Sequence, residues 1–109
     1  MSSSGAEGGE LNPKWDVALE SLVREECGKK GEALRLDDFQ QLAQNYAIRF
    51  DDIMDTVIRM VIHGEWSYKD ANGQPQEITQ AQMDTMLESG EGRLKEDDLH
   101  DFDGFWSEA

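Results

Sequence analysis

Apolar residues recur at three- and four-residue steps through Trp15, Ala18, Leu19, Leu22, Val23 and Cys27, which makes one stripe of an amphipathic helix. Asn12 and Pro13 suit its N-cap and first position. Lys29 and Lys30 suit the negative end of its dipole, and Gly28 and Gly31 are stop signals. Ala33-Leu34-Arg35-Leu36 alternates and predicts a brief extended segment. A second helix is expected from a cap at Asp37 or Asp38 to about Asn45. Its buried face carries Phe39, Leu42, Ala43 and Tyr46, and a turn follows through Ile48. The third helix, from about Phe50 to His63, carries Ile53, Met54, Val57, Ile58, Met60, Val61 and Ile62. It is apolar over more than half its circumference. Such a helix is either central or buried by the fold on one side and a partner on the other.

Gly64 ends that helix, and Glu65 to Lys69 alternates like a strand. Asp70-Ala71-Asn72-Gly73 is a turn cluster whose Asn-Gly pair signals a hairpin. Pro75 makes the returning strand an edge. Thr79 caps a fourth helix with Met83, Met86 and Leu87 apolar, ending at Ser89-Gly90. The expected fold is mainly α with one small β-hairpin, winged-helix-like, with three to four helices. Residues 1–11 read as a flexible leader, 12–89 as one helical domain with the hairpin near 65–78, and 90–109 as an acidic tail. That tail alternates acids with Phe102, Phe105 and Trp106, a pattern that suits both folding back and docking on a partner.

Charge sharpens this picture. The 109 residues carry a net charge of −14. Residues 1–36 hold 7 acids and 5 bases, residues 37–89 hold 10 and 3, and residues 90–109 hold 7 and 2, so every part is negative. Nucleic-acid affinity depends on Lys and Arg neutralising phosphates, so direct nucleic-acid binding is disfavoured, as are anionic membranes. Acidity favours solubility and steering towards basic protein surfaces. No apolar signal region opens the chain and no stretch approaches a membrane span, so the expected setting is cytoplasmic and bacterial.

The segment Leu36 to Ile48, Leu-Asp-Asp-Phe-Gln-Gln-Leu-Ala-Gln-Asn-Tyr-Ala-Ile, resembles the helix-turn of the winged-helix superfamily, and so does the element order from Leu34 to Thr79. The resemblance implies that Leu42 and Ala43 are core and that Ile48 is the buried turn residue. It also implies that the third helix would enter a DNA groove. Groove readers present Arg, Lys, Asn or Gln there. This helix presents Asp51, Asp52 and Asp55, and the hairpin has a single base, Lys69.

Other chemistry finds little support. Cys27 is alone, so no internal disulfide is expected, and Glu25 and Glu26 should raise its pKa. Asp98, His100, Asp101 and Asp103 are potential ligands without a paired zinc spacing. The Asp70–Gly73 turn fails as a calcium loop, because Tyr68 and Thr79 fall where carboxylates are required. No nucleophile elbow or phosphate loop is present. No enzyme, cofactor or metal is therefore expected.

The expected function is a non-catalytic regulator that binds another protein, a transcription factor among the candidates. In size and acidity the chain resembles small acidic bacterial anti-activators. Its expected anchors are Trp15, Met54, Val57, Met60, Val61 and Trp66, rimmed by Asp51, Asp52 and Asp55. Two alternatives are a DNA mimic that inhibits a DNA-binding protein and a homodimeric winged-helix transcriptional regulator. Self-association through the third helix would equally cover its apolar excess.

Overall fold

The computed structural model describes residues 15–87 and 94–109. Helices α1 (Val17–Lys30), α2 (Leu36–Tyr46) and α3 (Phe50–Ile62) lead into strands β1 (Trp66–Lys69) and β2 (Pro75–Gln76). Helix α4 (Gln80–Met86), the short α5 (Glu96–Leu99), a 3-10 turn at His100–Phe102 and strand β3 (Phe105–Glu108) complete the chain. The fold is helix-rich with a small antiparallel sheet, of strand order β2-β1-β3.

Local signals set most boundaries. Helix α1 starts at Asp16, whose carboxylate accepts from the Ala18 and Leu19 amides. The Asn12-Pro13 start lies outside the described residues, as does the 1–11 leader. Gly31 closes the helix in the left-handed region at φ 74°, donating its amide to the Cys27 carbonyl. The cap of helix α2 lies two or three residues before the expected Asp37 or Asp38. Arg35 is its N-cap, and Asp38 sits in the first turn, accepting the Arg35 amide at 2.8 Å. Tyr46, expected on the buried face, is 49% exposed, because the helix ends there and Ala47 turns the chain at φ 54°. In the hairpin, Asp70 Oδ1 accepts from the Asn72 and Gln74 amides and Gly73 takes φ 83°. Thr79 caps α4 in a reciprocal box with Gln82.

Helix α3 lies at the centre, packed by α1, α2, α4 and β1. Ile53, Met54, Val57, Ile58 and Met60 are fully buried. The segment set apart in sequence as an acidic tail joins the same core over 94–109. Leu94, Leu99 and Trp106 are buried, and β3 runs antiparallel to β1 with Tyr68 opposite Trp106. Trp106 also exchanges two backbone hydrogen bonds with Leu34, at 2.7 and 2.8 Å. The extended segment expected near Leu34 is thus a single bridge, and its partner is β3.

Candidate protein-binding surface

The amino end of α3 gathers the acids that stand out in the sequence. Asp51 and Asp52 occupy its first turn, where the partial positive charge of the helix end favours carboxylates. They have different surroundings. Asp51 is 5% exposed and forks the Arg49 guanidinium with two contacts of 3.1 Å. Asp55 pairs with Arg59 one turn on, at 2.6 Å. Asp52 is exposed. Asp52, Asp55 and Thr56 form one wall of a shallow cleft of about 300 Å³, and Asp16 and Leu19 of α1 form the other. Arg49, the N-cap of α3, and Arg59 within it are therefore engaged by the helix's own aspartates, and the outward charge there is negative.

The apolar residues expected as anchors do not share that face. Met54, Val57 and Met60 have no solvent exposure and Trp66 has 2%. In this conformation they are core, and a partner cannot touch them. The apolar excess of α3 is covered by the chain itself, on its different sides by α1, α2, α4 and β1. Val61 is half-buried against the same core. Trp15 is half-buried too; its ring lies 5.4 Å from His63 and its indole N–H donates to Glu20 at 2.8 Å.

A second acidic cluster was not legible in the sequence beyond its Glu20/Arg24 spacing. Arg24 reaches Glu20 at 2.8 Å, Glu108 at 2.7 Å and Glu65 at 3.3 Å, tying α1 to the start of β1 and the end of β3. The Trp15 indole holds the Glu20 carboxyl below its ordinary range; burial pulls the other way, and Arg24 adds to the lowering. Burial opposes the charge on Arg24, but bonds to Glu108 and Glu20 outweigh it and raise its pKa.

Cys27 Sγ donates to the Glu32 carbonyl at 3.6 Å. Burial and then the Glu108 charge push its pKa up, so the cause is not Glu25 and Glu26. A reactive thiol needs the opposite shift. Among the candidate metal ligands, Asp98 pairs with Lys95 and Asp103 with Arg35. Among the described residues, no group of three or more His, Cys, Asp or Glu is placed to hold a metal ion, and no helix is long and apolar enough to cross a membrane. No protein-family model, no curated protein and no solved structure matches this chain.

Proposed function

We propose that this protein is a non-catalytic regulator that binds another protein through charge and alters its activity or assembly. A transcription factor is the partner class we favour, the cytoplasm is the proposed setting, and the architecture is read as winged-helix-like on element order alone. One observation carries the reading: the α1–α3 face presents Asp16, Asp52 and Asp55, while Arg49 and Arg59 are held by Asp51 and Asp55. Such a face repels phosphates and attracts basic protein surfaces.

The burial of Met54, Val57, Met60 and Trp66 moves the weight of binding from apolar anchoring to electrostatics. It also favours a second reading, a DNA mimic whose carboxylates occupy a basic DNA-binding surface. Self-association along α3 faces the same shortage of free apolar area. Affinity capture from the native host, at low and high salt with partners identified by mass spectrometry, tests the main reading. A basic protein partner lost at high salt is expected. Recovery of nucleic acid without a protein would overturn it. Competition of the captured partner with its DNA separates mimicry from binding elsewhere.

A further inference from the structure

We propose that Asn72 is a site of non-enzymatic deamidation through a cyclic imide, and that Asp70 sets its rate. Of the chain's asparagines, Asn12 precedes proline, Asn45 precedes tyrosine and Asn72 precedes glycine. Ring closure needs the next residue's main-chain nitrogen to reach the side-chain carbonyl carbon. A proline nitrogen has no proton to give up. Asn45 lies inside helix α2, where main-chain N–H groups are used by the helix ladder. At Asn72 neither obstacle stands. The residue is exposed at the hairpin tip. Its 2.9 Å bond to Asp70 Oδ1 comes from the main-chain N–H, not the side chain. A Cβ placed on Gly73 would meet nothing within 4 Å, so the space beside the attacking nitrogen is open.

The step balances with water and a base alone. Gly73 N gives its proton to hydroxide or buffer and bonds to Asn72 Cγ. The Cγ–Nδ2 bond breaks, and Nδ2 takes up a proton and leaves as ammonia. Water then opens the five-membered imide. Breaking the new bond from Gly73 N to Cγ gives aspartate. Breaking the bond from Gly73 N to the Asn72 main-chain carbon gives isoaspartate, whose chain runs through Cβ and Cγ. Asp70 holds the nucleophile back. Its carbonyl accepts the Gly73 N–H at 2.8 Å. Its Oδ1 accepts the Asn72 and Gln74 amides, and its Oδ2 accepts Gln76 Nε2. The turn must loosen before Gly73 N can swing towards Cγ. Asp103-Gly104 is the contrast within the same fold. An Asp-Gly pair can close the same ring with loss of water, but Gly104 is buried against the Lys69 carbonyl and the Asp70 main chain. Isoaspartate at position 72 would lengthen the turn by one main-chain carbon. Strand β2 is an edge that pairs with β1 through Tyr68↔Gln76 and Lys69↔Pro75, so β2 should come free while β1 stays on β3.

The test is incubation of the full folded chain in mildly alkaline buffer, then peptide mass mapping with fragmentation that separates aspartate from isoaspartate. Conversion at Asn72 with isoaspartate present is expected, and none at Asn45 or Asp103. It should be slower than in the same chain unfolded in urea. Asp70→Ala should speed the folded protein about fivefold, the worth of one hydrogen bond. Protection of the Trp106 amide from exchange checks that this variant folds, and the folded-against-unfolded comparison of the parent stands without it. In the aged parent the Gln74 and Gln76 amides should exchange faster while Trp106 keeps its protection. Asn72→Asp, which adds the charge without lengthening the main chain, should not show that loss. An Asn72 that stays an amide in the folded chain while the unfolded chain converts would overturn the proposal. So would equal rates folded and unfolded, isoaspartate forming at Asp103 as fast as at Asn72, or a folded Asp70→Ala that converts at the parent rate.

Discussion

Gly104 sits where the chain passes closest to the end of β1. A Cβ placed on it would lie 1.9 Å from the Lys69 carbonyl oxygen and 2.8 Å from two backbone atoms of Asp70. Backbone cannot rotate away as a side-chain tip can, so Gly104→Ala must push β3 off β1. The expected loss is about 3 kcal/mol, at the upper end of overpacking costs, measured by urea unfolding. A loss under about 1 kcal/mol would mean the strand shifts freely. Trp66 makes a different compromise. Its Nε1 is the one buried side-chain polar atom without a partner among the described residues, a cost of roughly 1–3 kcal/mol that burial of the indole offsets. Glu20 gives a pH signature. Its pKa is lowered from 4.5 in the folded state, so its stabilisation is complete above that value and is lost as pH falls through the folded pKa. The stability gap between the parent and Glu20→Gln should therefore be constant at neutral pH and shrink below about 4.5. A gap that widened on acidification would contradict the Trp15–Glu20–Arg24 arrangement.

Strand β3 is the element on which the rest of the fold depends most. Trp106 is fully buried, packs on Phe39, Tyr68 and Phe102, and bridges Leu34. Arg35 stacks over Phe105 at 4.8 Å, and Arg24 holds Glu108. Trp106→Ala should cost about 3–5 kcal/mol in a single cooperative transition. A tail that merely docks from outside would lose almost nothing, and its amides would exchange independently of α3. This element was also the least legible one. The Gly31 stop, the Asn72-Gly73 turn and the Thr79/Gln82 cap are each settled within four residues, and sequence alone identifies them. The Phe105-Trp106 pair has no such local signal. Its burial depends on β1, almost forty residues earlier, and on Leu34, more than seventy earlier. The same limit explains Met54, Val57 and Met60. Helical periodicity shows how much of α3 is apolar, but not which elements cover it. The cleft was half legible: Asp52 and Asp55 are one face of a helix by spacing, whereas their meeting with Asp16 and Leu19 requires the α1–α3 packing.

At the scale of the molecule, charge acts in two opposite ways. The chain carries −14, and six of its cations, Arg24, Lys30, Arg35, Arg49, Arg59 and Lys95, are held in internal ion pairs. Acids outnumber bases 24 to 10 in the sequence, an excess of negative charge that favours solubility and strains the compact state through self-repulsion. Salt shortens the Debye length from about 10 Å at 0.1 M to about 3 Å at 1 M. Exposed ion pairs each contribute about 0–1 kcal/mol, so their screening costs little, whereas repulsion summed over the whole surface is relieved. The melting temperature should therefore rise with sodium chloride, and about 1 kcal/mol of relief corresponds to roughly 4–8 °C in a domain of this size. Partner binding should move the other way, because the attraction that steers a basic surface to Asp16, Asp52 and Asp55 is screened by the same ions. Calorimetric melting and a binding titration across one salt series measure both. A protein that melts lower as salt rises would place the internal pairs above the repulsion. A complex indifferent to salt would require an apolar interface that Met54, Val57 and Met60, sealed in the core, cannot supply.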